Sequence, residues 1–103
     1  MKTFLTSLGL SLALAAAPAL AKDHRVEISG MKFSPAAITV APGDTITFAN
    51  LDGAPHTATA KDGSFDTGRL ASGQSAVVTI TQSGTLAYFC AVHPAMKGKI
   101  VAK

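Results

Sequence analysis

The feature that most restricts the fold of this 103-residue chain is a succession of short segments in which polar and apolar residues alternate. Such alternation is typical of strands with one buried face, and glycine or proline turns separate the segments. The candidate strands are 25–30, 38–40, 45–50, 57–60, 75–81, 86–90 and 99–101. No segment after residue 21 shows the periodicity of an amphipathic helix. The pattern therefore predicts an all-β sandwich or barrel.

The N-terminal residues differ from the rest of the chain. A short, positively charged start precedes a mostly apolar stretch that ends in Ala19-Leu20-Ala21, as in a secretory signal peptide. Cleavage after Ala17 is an alternative, but it would place Pro18 first. An uncleaved anchor is less favoured, because a spanning helix needs about 20 apolar residues and polar residues interrupt this stretch. We expect residues 1–21 to be a signal peptide, and residues 22–103 to be one periplasmic domain that is not inserted in the membrane.

The predicted mature domain is small and has a single cysteine, Cys90. Removal of 21 of the 103 residues leaves 82. Domains of this size bury a limited core, and many rely on disulfides or a metal ion for stability. A single cysteine cannot form an internal disulfide, and a free thiol is a liability in an oxidising compartment. A bound metal ion would protect the thiol.

The charge of the domain argues against one class of partner. Without Lys2, which lies in the predicted signal peptide, eight basic and six acidic side chains give a net charge of +2. These charges are few and scattered, whereas nucleic-acid-binding domains carry clustered basic side chains. We therefore expect no nucleic-acid partner. Two interpretations of Lys97 and Lys99, close to Cys90, remain open: they attract an acidic protein surface, or they belong to an ordinary solvated face.

Residues 90–96 hold three potential metal ligands in the spacing C-x2-H-x2-M. Cys90, His93 and Met96 supply a thiolate, an imidazole and a thioether. Soft sulfur ligands favour copper among the common metals. Two histidines, one cysteine and a weak axial methionine form the blue-copper electron-transfer site. The loop therefore supplies three of the four groups that such a site needs.

His56 is the histidine best placed to complete the site. Of the other two, His24 is close to the predicted N-terminus and His93 is already in the loop. Zinc is the competing metal, but it rarely uses methionine, and structural zinc sites usually contain more cysteine. A catalytic Cys–His pair would leave the methionine without a role. The residues that the sequence favours as copper ligands are His56, Cys90, His93 and Met96.

The predicted mature N-terminus is a second candidate copper site. Lys22-Asp23-His24 would offer a free amine, two backbone amides and an imidazole. This matches the square-planar nitrogen geometry that Cu(II) and Ni(II) favour. The alternative is a frayed polar terminus without a function. Both interpretations remain open from the sequence.

The chain resembles the cupredoxins, and the small plastocyanin- and amicyanin-like proteins in particular. The segments that carry the resemblance are Val40–Phe48, Pro55-His56, Asp62–Gly68, Gly84-Thr85 and Cys90–Gly98. They cover nearly the whole predicted domain, and the short ligand loop is most similar to that of amicyanin. The resemblance implies a Greek-key β-sandwich of seven or eight strands. It also implies one type 1 copper ion, with the ligands His56, Cys90, His93 and Met96.

The resemblance also implies a function. Cupredoxins of this kind carry single electrons between redox proteins, so the expected partner is a cytochrome c, a dehydrogenase or a reductase. His93 would be the exposed ligand, in an apolar patch where this partner docks. The patch residues would be Met31, Ala54, Pro55, Pro94 and Ala95. The implied protein is a monomeric electron carrier rather than an enzyme. The alternative is a periplasmic protein that stores or delivers copper.

Two residues beside the ligands depart from the family pattern. Many cupredoxins have an asparagine after the first ligand histidine, and its side chain ties the two ligand loops together. Thr57 occupies that position, and Ala91, which follows the cysteine, has no hydroxyl to bond with it. These residues predict that the tie is absent and that the ligand loop is looser than in the relatives.

Overall fold

The computed structural model of the protein describes residues 20–103. The predicted signal peptide lies outside the described residues, apart from Leu20 and Ala21. Within residues 20–103, no helix is long and apolar enough to cross a membrane.

Eight strands account for the regular structure of residues 20–103. The strands are β1 Asp23–Ser29, β2 Lys32–Ser34, β3 Ala37–Val40, β4 Thr45–Asn50, β5 Thr59–Ala60, β6 Ser75–Thr79, β7 Gly84–Phe89 and β8 Lys97–Ala102. They form two four-stranded sheets, in the orders β2-β1-β4-β6 and β3-β8-β7-β5. The predicted all-β Greek-key sandwich and its number of strands are confirmed.

Two parallel strand pairs determine which segments meet at each end of the sandwich. β1 runs parallel to β4, from Asp23 opposite Thr45 to Ile28 opposite Asn50. β3 runs parallel to β8, and the remaining pairs are antiparallel. Parallel neighbours start at the same end of a sheet and finish at the same end. The turn after β1 and the loop after β4 therefore lie together, and the start of β1 lies at the opposite end.

An aromatic cluster fills the space between the two sheets. Phe33, Phe48, Phe65 and Tyr88 are all buried. The Tyr88 ring centroid lies 4.7, 5.4 and 5.9 Å from those of Phe33, Phe48 and Phe65. These three pairs are edge-on or tilted, an arrangement that aromatic rings prefer to face-to-face stacking. Tyr88 is therefore held on several sides at the centre of the core.

Gly98 is required by the position of Tyr88. The two residues are directly opposite each other on β8 and β7, and the Tyr88 ring lies over the glycine. A Cβ atom on residue 98 would overlap with ring atoms and the hydroxyl oxygen of Tyr88. The ring cannot move away without displacing the phenylalanines around it. Only glycine fits at this position of β8.

We expect Gly98→Ala to lower the free energy of unfolding by about 1–3 kcal/mol, the usual cost of inserting a methyl group into a packed core. Chemical denaturation of the metal-free proteins measures this difference. Gly53→Ala is the matched control, because a Cβ atom there meets no other atom within 4 Å. Equal stability of Gly98→Ala and the parent protein would contradict the packing of Tyr88 on residue 98.

Candidate metal centre

The loop between β7 and β8 is closed by its own backbone. The Cys90 N–H donates to the Met96 carbonyl at 3.1 Å, and the Met96 N–H donates to the His93 carbonyl at 2.9 Å. Cys90 and Met96 are buried, and His93 is half-buried. The C-x2-H-x2-M spacing therefore produces a compact turn that begins and ends in the core and brings His93 towards the surface.

His56 reaches the same place from the loop between β4 and β5. Its backbone N–H donates to the Leu70 carbonyl at 3.1 Å, and the Leu70 N–H donates to the His56 carbonyl at 2.7 Å. This pairing fixes the backbone of residue 56, and its side chain is completely buried. The structure thus brings His56 next to Cys90 and His93.

Three donor atoms face one another at this end of the sandwich. The Cys90 sulfur lies 3.7 Å from His56 Nδ1 and 3.9 Å from His93 Nδ1, and the two Nδ1 atoms are 3.2 Å apart. In a triangle with these sides, the point equidistant from the corners is about 2.1 Å from each, close to bond lengths of about 2.0–2.1 Å for nitrogen and about 2.3 Å for sulfur in metal sites. The three donors therefore fit a single metal ion.

The Cys90 thiol is prepared to bind a cation. Burial acts to raise the pKa of this thiol, but the hydrogen bonds at its sulfur, led by the one from the Thr57 N–H, outweigh it and lower the pKa to about 6. The Thr57 N–H donates to the sulfur at 3.3 Å. A thiol with this pKa is mostly thiolate at neutral pH, which is the form that binds metals. One thiolate, two imidazoles and a methionine in the same loop are the ligand types of type 1 copper.

Asp52 orients His56, a role that the sequence analysis did not identify. The His56 Nε2–H donates to Asp52 Oδ2 at 2.9 Å, which leaves Nδ1 unprotonated and directed at the other two donors. Asp52 also accepts the N–H groups of Gly30 at 2.7 Å and Met31 at 2.9 Å. These bonds, led by that of Met31, lower the pKa of Asp52 and keep it ionised at neutral pH. Carboxylates commonly orient metal-binding histidines in this way.

The predicted absence of a tie between the two ligand loops is wrong. The Ala91 N–H donates to Thr57 Oγ1 at 2.8 Å, and the Thr57 N–H donates to the Cys90 sulfur. The Thr57 hydroxyl also lies 2.8 Å from the Thr59 hydroxyl. Residue 91 needs no side-chain hydroxyl, because its backbone N–H is the donor. Two hydrogen bonds therefore fix the cysteine loop relative to the segment that carries His56.

The residues of the predicted apolar patch lie at the surface of the protein. All five residues predicted to surround His93 are at least partly exposed: Met31, Ala54, Pro55, Pro94 and Ala95. Met31 is 44% exposed and borders a cleft of about 250 Å³ beside Met96. Lys32 and Lys97 also line this cleft. Met31 and Ala95 of the predicted patch thus border the same cleft as these two lysines.

His24 does not belong to this site. It lies in β1 at the other end of the sandwich, where its Nε2 is 2.8 Å from Asp44 Oδ2. The interpretation of Lys22-Asp23-His24 as a frayed terminus is wrong, because Asp23 and His24 pair with β4. The first residues of the predicted mature chain are therefore part of the folded domain.

A two-sheet Greek-key sandwich that brings one cysteine and two histidines together at one end, with a methionine in the same loop, defines a cupredoxin. Comparison with known families agrees. The family described as copper binding proteins, plastocyanin/azurin family, matches residues 21–103. The chain therefore belongs to the plastocyanin/azurin family of copper-binding proteins, and the resemblance seen in the sequence is confirmed.

Individual relatives support the same assignment. Amicyanin-alpha of Methylorubrum extorquens is 32% identical over 88 residues, which cover 81% of this chain and 74% of the relative. Plastocyanin A/B of Petroselinum crispum is 33% identical over 84 residues, which cover 69% of this chain and 87% of the relative. The solved structure of a reduced amicyanin variant has a TM-score of 0.72 at 31% identity, covering 77% of this chain and 80% of the other. These relatives and the donor set indicate a type 1 copper electron carrier with one copper ion as its cofactor.

Proposed function

We propose that the protein is a periplasmic carrier of single electrons, with one type 1 copper ion bound by His56, Cys90, His93 and Met96. The observation that carries this proposal is the convergence of one sulfur and two Nδ1 atoms on one point at the end of the sandwich. Bound copper supplies the one-electron chemistry through its Cu(I) and Cu(II) states. The periplasmic location follows from the proposed signal peptide at residues 1–21.

The ligands have separate roles in this proposal. The Cys90 thiolate would be the strongest donor to a bound copper ion, and the neutral Met96 thioether would be a weak donor that tunes its reduction potential. His56 is completely buried and held by Asp52. His93 is the half-buried ligand, so its imidazole edge is the shortest route between the metal and a partner.

The hydrogen bonds around the donors favour a site that changes little during electron transfer. Thr57 holds both the Cys90 sulfur and the following backbone N–H, and Asp52 holds His56. These bonds do not involve the metal, so the donors are positioned by the protein in either oxidation state. A small rearrangement keeps the barrier to electron transfer low. The chain's own contacts therefore suit an electron carrier.

The apolar surface around His93 is the proposed docking surface for redox partners. An apolar centre excludes water and brings the two proteins close, and Lys32 and Lys97 at its margin favour a partner with an acidic rim. A cytochrome c, a dehydrogenase or a reductase with such a rim fits this description. The proposed carrier is a monomer that forms short-lived complexes.

We expect Ala95→Glu to slow electron self-exchange between the reduced and oxidised protein by about tenfold or more, because an unpaired carboxylate would be desolvated in the contact. Line broadening in NMR spectra of mixtures of the two forms measures this rate. Val77→Glu is the control, because Val77 is 62% exposed on β6, away from the ligand loop. Both variants should keep the copper spectrum of the parent. Equal self-exchange rates in the two variants would contradict the proposed electron exit.

Copper storage or delivery, the alternative function, predicts a different behaviour. A carrier exchanges electrons rapidly and keeps its copper when it is mixed with a metal-free copper protein. A delivery protein loses copper to that acceptor and exchanges electrons slowly. Measurement of both rates on the same copper-loaded sample therefore separates the two functions.

A further inference from the structure

In the part of the chain that the structure describes, hydrogen bonding to the domain begins at Lys22. The Lys22 N–H donates to Asp44 Oδ1 at 2.9 Å, and the Thr45 N–H donates to the Lys22 carbonyl at 2.9 Å. From Asp23 onward the chain is paired with β4. Leu20, by contrast, is 89% exposed, and Ala21 is exposed as well. Among residues 20–103, the first residue fixed by hydrogen bonds is thus the one that would become the N-terminus after cleavage at Ala21.

Asp44 is a buried carboxylate with three nitrogen atoms within hydrogen-bond distance of its oxygens. Its Oδ2 accepts the Ala41 N–H at 2.9 Å and faces His24 Nε2 at 2.8 Å, and its Oδ1 accepts the Lys22 N–H. The backbone of Asp44 is fixed as well: its N–H donates to the Ala41 carbonyl, and its carbonyl accepts the Ile80 N–H. The hydrogen bonds of Lys22, His24 and Ala41 lower the pKa of Asp44 to about 2, so it is ionised at neutral pH.

We propose that Asp44 is the binding site for the mature N-terminus, an α-ammonium group created on Lys22 by cleavage after Ala21. Hydrolysis of the Ala21–Lys22 peptide bond consumes one water molecule. It leaves a carboxylate on Ala21, which departs with the leader, and an amine on Lys22, which takes up a proton. The bond at Asp44, which before cleavage joins a neutral N–H to a carboxylate, thereby becomes a bond between two full charges, and the attraction between these charges is added to it.

The surroundings of Lys22 can accommodate the new group. A cleft of about 350 Å³ adjoins this end of the sandwich, and its lining includes Lys22, Asp44 and Leu20. Removal of Leu20 with the leader opens the cleft further. One N–H of the ammonium then points to Asp44 Oδ1, and water in the cleft can accept from the others. The buried carboxylate gains a cation next to it without any change in the strands.

The same contact prevents copper binding at the terminus. A nitrogen site at Lys22-Asp23-His24 needs the amine, two deprotonated backbone amides and the His24 imidazole around one ion. In the folded chain the Lys22 backbone nitrogen is at Asp44 Oδ1, the imidazole is at Asp44 Oδ2, and the backbone of Asp23 and His24 pairs with β4. Copper binding would have to break all of these contacts. The mature protein should therefore bind one copper ion, which favours the carrier over a storage protein.

The first measurement is the mass of the exported protein, which we expect to correspond to residues 22–103. The second compares the stability of two metal-free proteins, one that starts at Lys22 and one with Met-Leu-Ala in front of Lys22. The extended protein keeps the N–H at residue 22 but lacks the charge, so we expect its unfolding equilibrium constant to be roughly fivefold larger, because it loses the attraction between the ammonium group and the carboxylate. Another starting residue, or equal stability, would overturn the proposal.

The role of Asp44 is tested by introducing Asp44→Asn into both proteins, the one that starts at Lys22 and the extended one. The stability difference between the two termini should disappear in Asp44→Asn and persist in Asp23→Asn, which removes an exposed carboxylate from the neighbouring residue. A difference that survives Asp44→Asn would overturn the proposal. Titration of the processed protein with Cu(II) should give one bound ion per chain. A second bound copper ion that is lost in His24→Ala would also overturn the proposal. Failure of the electron-carrier function would instead show as slow self-exchange, and it would leave the results of these stability and titration measurements unchanged.

Discussion

Replacement of Cys90 by serine is expected to abolish the blue colour of the copper-loaded protein completely. The intense visible absorption of a type 1 site arises from charge transfer between the cysteine thiolate and Cu(II), and a serine hydroxyl has no sulfur orbital to take part in it. Addition of Cu(II) to the metal-free protein, followed by visible and EPR spectroscopy, measures this. The parent protein should show an intense blue band and a narrow hyperfine splitting, and Cys90→Ser should show neither.

Met96→Leu is the matched control for Cys90→Ser. It removes the other sulfur of the loop but leaves the thiolate and both imidazoles in place, so the blue band should remain. Met96 would be a weak ligand, and its loss should change the reduction potential more than the colour. A colourless parent protein, or a Cys90→Ser protein that is still blue, would contradict a type 1 copper site at these residues.

Local patterns predicted the strands well where one face is buried. Residues 45–50 coincide with β4, and the alternating residues Ile46 and Phe48 are both completely buried. The strand predicted at 57–60 is shorter, because Thr57 is used to connect the two ligand loops and only Thr59–Ala60 pairs with β7. β2 has three residues, too few for an alternation to be recognised. A local pattern can indicate a strand only where polar and apolar residues alternate over enough positions.

The ligand candidates could be predicted because few residues in the chain have the required chemistry. With one cysteine and three histidines in 103 residues, the choice was small. The contacts that support the ligands left little trace. Asp52 reaches the 30–31 turn because β1 and β4 run parallel, a long-range pairing that no local pattern specifies. The one indication of this role in the sequence is that an acidic residue stands four positions before His56. The tie at Thr57 was missed because its donor is a backbone N–H, which every residue but proline has.

Asp52→Ala is expected to weaken copper binding by about 10–100-fold, the usual cost of removing the partner of a metal-binding histidine. Without the carboxylate, His56 Nε2 loses its acceptor, so neither the tautomer nor the orientation of the ring is fixed. The N–H groups of Gly30 and Met31 lose their acceptor as well. Competition with a chelator of known affinity measures the change. Asp62→Asn is the control, because Asp62 lies in an exposed turn and bonds only within it.

Asp52→Asn separates the charge of residue 52 from its shape. The amide oxygen can still accept a hydrogen bond, but the negative charge beside His56 is gone. Loss of that charge disfavours the more positive, oxidised state of the site, so the reduction potential should rise, and copper affinity should fall less than in Asp52→Ala. A residue that only holds the 30–31 turn would act differently. Both variants would then lose stability while the potential and the copper affinity stayed at the parent values, and that result would remove Asp52 from the copper site.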